Sequence, residues 1–480
     1  MVKSKMIRSI AWKNVWRNPK RSLIVIAAVM LGTTAGVFTS GLMKGWVDQR
    51  IRAAIYTEVS HLRLNNPDFL NNEEIGNTIP EIGRLTDYLD KSPAVKAYSR
   101  HVKIMAMAST SRGNTALMLN GIDLKKEKQV SDLYKDMVDG AGSYFEDYGS
   151  FPIVISDKTA ETLRVKSYVL NSDALDTLKK AGMPENTSSK LLSLDNLRFN
   201  NKTQIEKRLK KILTAKEISK YGAEIVKVSE HYRLRSKIVF TFTDKNGELL
   251  NQSFRVCGVF KSGNTMFDQI NAFVLQKDLS GVAGLGADEF HEITLLLNDG
   301  VDIEGFQKDI RRAFPHISAL TWKELAPDAG MMAEYMAFYY LIIMGFILFA
   351  LAFGIVNTMQ MAILERTKEL GMLMAIGMNR KRVFNMIMLE TIFLTMVGAV
   401  AGMLLGWLVV LITGHTGINF SSVAEGFESM GWAAKVYPDI TASFFFGVTL
   451  MVVLTGILSS LFPARRALNM NPVDALRSDN

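Results

Sequence analysis

Residues 22–43 read SLIVIAAVMLGTTAGVFTSGLM, 22 consecutive positions without a charge. As an α-helix they extend about 33 Å, enough to cross a hydrocarbon core about 30 Å thick. Three more runs share the pattern: 336–364 and 441–462 carry no charge, and 383–413 carries only Glu390. Four membrane-spanning helices are therefore predicted, the first over 22–45. A basic leader precedes it, as in a cleaved signal peptide. The apolar run exceeds the roughly 7–15 residues of such signals and no A-x-A site follows, so it reads as a retained helix.

Charge sets the orientation. Seven basic residues and no acidic one precede the first span, Arg366, Lys368, Arg380, Lys381 and Arg382 separate the second from the third, and Arg465, Arg466 and Arg477 follow the fourth. Between the third and fourth spans only Lys435 is basic. Positive flanks stay in the cytoplasm, so both termini and 365–382 are expected inside, with 46–335 and the short loop 414–440 outside. The 480-residue chain has net charge +9, and 17 basic against 8 acidic residues outside 46–335 account for all of it; inside, 39 of each cancel. A nucleic-acid-binding domain would need a basic surface on the folded domain itself and is excluded. Disorder is excluded by the 48% hydrophobic content.

The second apolar run, 336–364, is 29 residues and would extend about 43 Å, so part of it is expected to project as a stalk. Midplane charges of the kind that mark pores and secondary transporters are almost missing. Glu390 stands two turns from the cytoplasmic end of its helix and reads as a residue that pairs with a basic neighbour or snorkels. Gly398, Gly402 and Gly406 recur every fourth residue in the third span, and Gly32, Gly36 and Ser40 in the first. Such stripes let helix backbones approach closely.

Residues 46–335 alternate short β-branched and aromatic runs with turns and helical stretches, the pattern of an α/β domain. Strands are predicted at 102–108, 115–122, 238–243, 253–260 and 292–297, and helices at 79–91, 160–165 and 303–314. Between 166 and 230 the texture changes: 13 basic residues face 8 acidic ones, and Ile205, Leu209, Ile212, Leu213 and Ile218 keep helical spacing. This segment reads as a helical insertion with a basic, solvated face. The single Cys257 removes any internal disulfide. The six histidines show no ligand spacing, so no metal site is expected, and no catalytic motif or phosphate-cradling G-x-x-x-x-G-K-[ST] loop is present.

The second cytoplasmic segment is more specific. The run ERTKELGMLMAIG at 365–377, then NRKR at 379–382, Glu390 and the glycine stripe, resembles the FtsX-like permease domain of MacB-type and LolC/LolE-type ABC transporters. PARRA at 463–467 with PVDALR at 472–477 is similar to that family's C-terminal signature, and WKNVWRNPKR at 12–21 to its N-terminal interfacial helix. Residues 153–166 and 253–274 resemble its periplasmic core domain, in which about 65 residues here intervene before the next strand. No segment matches the carrier-recruiting hook of LolC, and Met374 stands where many relatives have Arg.

The resemblance implies an integral membrane α-helical protein with a MacB-like α/β periplasmic domain between helices 1 and 2, seated in the bacterial inner membrane. It implies segments at 1–21 (interfacial helix), 336–364 (second span with stalk), 365–382 (coupling helix), 383–413, 414–440, 441–462 and 463–480 (cytoplasmic tail). The implied partners are a separate cytoplasmic ATPase that supplies ATP and Mg, a second permease subunit (a copy or a paralogue), membrane phospholipid, and a lipoprotein substrate with or without a periplasmic carrier; no cofactor is bound by this chain and no nucleic acid is involved. The coupling residues would be Glu365, Arg366, Lys368, Glu369, Leu370, Gly371, Ala375, Ile376 and Gly377, with Leu370 and Ile376 entering a groove of the ATPase. Gly32, Gly36, Gly398, Gly402 and Gly406 would pack the spans, acyl chains lying near Gly32 and Gly36; Pro463, Arg465, Arg466 and Pro472 form the C-terminal motif. Lipoprotein release is the leading expectation. Efflux of peptides or toxins, and control of a cell-wall hydrolase, are the alternatives.

Overall fold

The computed structural model describes residues 11–468 apart from 14, 18, 147–148, 421–425 and 428–430; Pro472 lies outside the described residues. The chain forms two compact units. One comprises the described parts of 1–49, 331–423 and 434–480, the other 50–330 with 424–433.

Four helices of the first unit are long and apolar enough to cross a membrane. The first runs Pro19–Ala53 and passes into a π-helical turn, Ala54–Val59. The second runs Pro327–Glu365, starting nine residues before the apolar run because Pro327 and Asp328 suit a helix N-terminus without being apolar. The third, Arg380–Thr416, begins at the Asn379 cap and ends at Gly417, whose φ of 71° only glycine adopts easily. The fourth, Ala442–Leu468, continues through Pro463. The ring removes one backbone donor there, yet Arg465 and Arg466 stay helical in the last turn, where cations complement the helix dipole. The first six residues of the predicted tail thus belong to the span's helix.

In the second unit a ten-stranded sheet supplies the core. Its spatial order is Ser318–Thr321, Leu62–Asn65, Glu292–Leu297, Val95–Thr110, Gly113–Ile122, Asn271–Leu275, Pro152–Ser156, Leu249–Phe260 and Met137–Gly142. Lys237–Thr243 pairs with both Leu249–Phe260 and Val95–Thr110, so six strands close into a ring of pairings and leave no free edge among them. The pairings are antiparallel except Asn271–Leu275 with Gly113–Ile122 and Pro152–Ser156 with Leu249–Phe260. Alternate residues such as Ile104, Ala106, Leu117, Leu119, Phe240 and Phe254 point into one apolar core. All five predicted strands are present. Five strand segments, Leu62–Asn65, Met137–Gly142, Pro152–Ser156, Asn271–Leu275 and Ser318–Thr321, are not among the predicted strands because each is short and its alternation weak.

The segment between Val165 and Arg233 has its own core of Tyr168, Leu170, Leu175, Leu191, Ile205 and Ile225, among others. It differs from the predicted helical insertion in two ways. It contains a three-stranded sheet, Arg198–Phe199, Lys166–Val169 and Glu230–Tyr232. Its periodic apolar run is two helices, Lys202–Ile212 and Ala215–Ser229, broken where Thr214 and Glu217 form a capping box. At the root, Lys166 Nζ pairs with Asp157 at 2.8 Å and Glu230 at 2.9 Å.

Candidate functional site

The segment between the second and third helices has a definite geometry. The second helix ends at Glu365, and Arg366 leaves helical geometry with φ −105° and ψ 14°. Its side chain turns inward, and Nη1 donates to both carboxylate oxygens of Glu390, at 3.0 and 3.1 Å. Both groups are nearly buried, so each neutralises a charge that would be costly alone. The short helix of this segment is Thr367–Ala375. Glu365 and Arg366 therefore lie before it rather than within it, and Arg366 serves as a buried anchor.

The helix stops by a Schellman arrangement: Met378 N–H bonds to Leu373 C=O, Gly377 N–H to Met374 C=O, and Gly377 has φ 97°. Leu370 is 5% exposed and packs into the same core as Val383 and Met386. Gly371 is buried as well, and Met374 packs partly against that core. Ile376 is 78% exposed, and Ala375 and Gly377 are exposed beside it, as are Glu365 and Lys368. Of the two apolar residues expected to meet a partner, only Ile376 is available; Leu370 belongs to this chain's own core.

Two contacts had no sequence signal. Arg17 Nη2 bonds Glu369 Oε1 at 2.6 Å, and Trp12 meets Phe393 edge-on with centroids 5.4 Å apart. The N-terminal segment is thereby tied to the helix Thr367–Ala375 and the third span. Arg17 and Glu369 are 352 positions apart, and only the fold brings them together.

The glycine stripe of the third span packs on the first span of the same chain. A Cβ at Gly398 would lie 2.8 Å from Val29 Cβ, at Gly402 2.6 Å from Met30 O, and at Gly406 2.9 Å from Val37 Cβ. Gly32 faces Leu351 of the second span and Gly36 faces Val448 and Met344, so same-chain side chains fill the space over both. Beside them Thr39, Ser40 and Met43 meet Tyr340, Ile343 and Met344 along a shallow apolar groove too tight to hold a water molecule.

The second unit buries a polar network. His101 Nε2 lies 2.6 Å from Glu127, and Glu292 accepts from Lys103 Nζ at 3.1 Å and faces Arg63 Nε at 3.3 Å. Burial alone would lower the His101 pKa, but the Glu127 and Glu292 carboxylates raise it to about 9. Burial would likewise raise Glu292, yet Arg63, Lys103 and His101 hold it well below the usual carboxylate range. The cluster ties Val95–Thr110, Glu292–Leu297 and Leu62–Asn65 together. No group of His, Cys, Asp and Glu able to hold a metal ion occurs among the described residues.

Residues 341–472 match the FtsX-like permease C-terminal family. The chain is 27% identical over 239 residues to an uncharacterized ABC transporter permease of Methanocaldococcus jannaschii, covering 48% of this chain and 57% of that protein. It is 22% identical over 254 residues to the uncharacterized ABC transporter permease YknZ of Bacillus subtilis, covering 50% and 59%. To the macrolide export ATP-binding/permease protein MacB of Chlorobium luteolum it is 33% identical over 126 residues, 26% of this chain and 16% of that one. The chain thus spans less than two thirds of the length of these relatives. Among solved structures, the extracellular domain of YknZ from Gram-positive bacteria aligns at 14% identity with a TM-score of 0.28, covering 54% of this chain and 99% of that one. The similarity to an FtsX-like permease domain expected from residues 365–377 is matched over residues 341–472, and the relatives named here are ABC transporter permeases.

Proposed function

We propose that this chain is the membrane subunit of a MacB/FtsX-type ABC transporter, in which a separate ATPase drives movement of the spans and of the α/β domain. The observation that carries the reading is the helix Thr367–Ala375, anchored through Arg366–Glu390 and Arg17–Glu369 and presenting the exposed tip Ala375–Ile376–Gly377. A short helix fixed at its base and apolar at its tip suits a groove of a partner protein. The matched permease family and the ABC permease relatives support it. The chain carries no P-loop motif, so ATP and Mg would be held by the partner. The basic flanks favour cytoplasmic termini in a bacterial inner membrane, with the α/β domain on the opposite side.

For the cargo, release of lipoproteins is the first reading, because the first and second spans meet along an apolar surface of Met43, Ile343, Met344 and Ile347 that an acyl chain could lie against once the spans move. Export of a small molecule or peptide is the second reading, favoured by the export protein among the relatives. The test is to co-purify the chain from its native membrane and identify the bound ATPase and any acylated protein by mass spectrometry. Ile376→Asp is expected to abolish stimulated ATP hydrolysis while the protein still inserts and folds. Unchanged hydrolysis overturns the coupling role; an ATPase with no acylated protein moves the cargo to the export reading.

A further inference from the structure

The insertion and the rest of the α/β domain carry opposite charge. Residues 166–230 hold 13 basic and 8 acidic residues, and since 46–335 is neutral overall, the remainder holds five more acidic than basic residues. On the helix Lys202–Ile212, Lys207, Arg208, Lys210 and Lys211 are exposed, and none of the four enters an ion pair among the described residues. Ile205 and Leu209, the apolar side of this helix, are spent in the insertion's own core. The helix thus has no apolar face to enter a bilayer, which separates it from an interfacial membrane helix. The same domain carries the acidic counterpart. Between 66 and 91 stand Asp68, Glu73, Glu74, Glu81, Asp87 and Asp90 against Arg84 and Lys91, and Asp68, Glu73, Glu74 and Asp87 are exposed and form no ion pair among the described residues.

We propose that the basic helix Lys202–Ile212 docks on the acidic 66–91 surface of a second copy of this chain. Each copy offers both surfaces, so a two-fold pair makes the contact twice, as a self-complementary interface requires. Exposed Leu192 and Leu197 of the insertion add apolar contact. The attraction comes from solvent-exposed charges and is therefore weak per pair and sensitive to salt.

The inference rests on the reading that two permease chains pair, and the test separates the two. The full chain carrying Lys210→Cys and Glu74→Cys is reconstituted in nanodiscs of zwitterionic lipid; native Cys257 is buried and does not compete. Mild oxidation at low salt is expected to give a covalent dimer. Its yield should fall about tenfold or more in about 1 M salt, where the screening length shrinks to about 3 Å. It should fall equally with Arg208→Glu plus Lys211→Glu and return when Asp68→Lys and Asp87→Lys are added. Mass measurement of the unoxidised discs counts the chains. Two chains without the cross-link, or a cross-link indifferent to salt and charge reversal, overturn the docking while the pairing stands; one chain per disc overturns both. A cross-link that disappears in discs of anionic lipid, with Lys207–Lys211 then shielded from amine labelling, assigns the helix to headgroups and overturns the proposal.

Discussion

The two units bury charge in opposite ways. In the α/β domain, Arg63, His101, Lys103, Glu127 and Glu292 form a network in which each carboxylate meets at least one cation and Glu292 meets three. In the membrane unit the Arg366 guanidinium faces the Glu390 carboxylate where the second helix breaks, a pairing set at a helix end rather than across strands. Removing Glu390 leaves a buried Arg366 with its main counter-charge gone. Glu390→Ala is therefore expected to destabilise the protein by about 3–5 kcal/mol, and Arg366→Met with Glu390→Met to recover most of that loss. Denaturant unfolding in detergent measures both; a cost below about 1 kcal/mol for Glu390→Ala would show that the pair is no more critical than a surface ion pair.

The network makes the comparison visible in pH. The His101 pKa of about 9 in the folded protein lies above its unfolded value of about 6.5. Its contribution is complete below about 6.5 and is lost as pH rises through about 9, up to about 3 kcal/mol in all. Glu292 is depressed instead, so its contribution is present above the ordinary carboxylate range and lost as pH falls. Stability of the α/β domain should thus be highest in mildly acidic solution and decline on the alkaline side, and His101→Gln should flatten that decline. An alkaline limb identical in wild type and variant would remove His101 from the account.

The units also differ in what brings elements together. The ringed sheet interdigitates large side chains such as Phe240 and Phe254, while the first and third spans meet where side chains are missing. Gly402→Ala puts a Cβ 2.6 Å from Met30 O and 2.7 Å from Thr33 Cβ, and the helices must separate. The expected cost is about 1–3 kcal/mol. Gly345→Ala meets nothing within 4 Å and should be neutral or stabilising by up to about 1 kcal/mol, since alanine is the better helix former. Equal effects of the two in thermal unfolding would mean that the spans do not depend on the close approach.

How much of this was legible in the sequence follows from the range of each interaction. The four spans and the strands at 102–108, 115–122 and 253–260 were readable because hydropathy and alternation are local. Helix ends were less so: Pro327–Met331 and Pro463–Leu468 are helical without being apolar enough to extend the runs. The glycine spacing was visible, but not that Gly398 and Gly402 would meet Ile26–Thr33 of the same chain. Leu370 and Ile376 looked equivalent, because amphipathic spacing does not say which side of a nine-residue helix the core will take. That Glu390 would pair with a basic residue was legible, though not that Arg366 would be the partner, and Arg17–Glu369 joins charges that only packing brings into contact.

The smallest expected effect probes the insertion against the ringed sheet. Thr214 N–H bonds Glu217 Oε2 at 2.7 Å and Glu217 N–H bonds Thr214 Oγ1 at 3.4 Å, which ends one helix's apolar run and starts the next. Thr214→Ala removes that side-chain acceptor and leaves a first-turn N–H uncapped, at a cost of about 1 kcal/mol. Because the insertion has its own core around Ile205, Leu209 and Ile225, the cost should stay there. Hydrogen exchange should speed about fivefold over 202–229 and remain unchanged in Gly113–Ile122 and Leu249–Phe260. Equal acceleration in those strands would show that the Lys166 root transmits unfolding, and that insertion and sheet are one cooperative body.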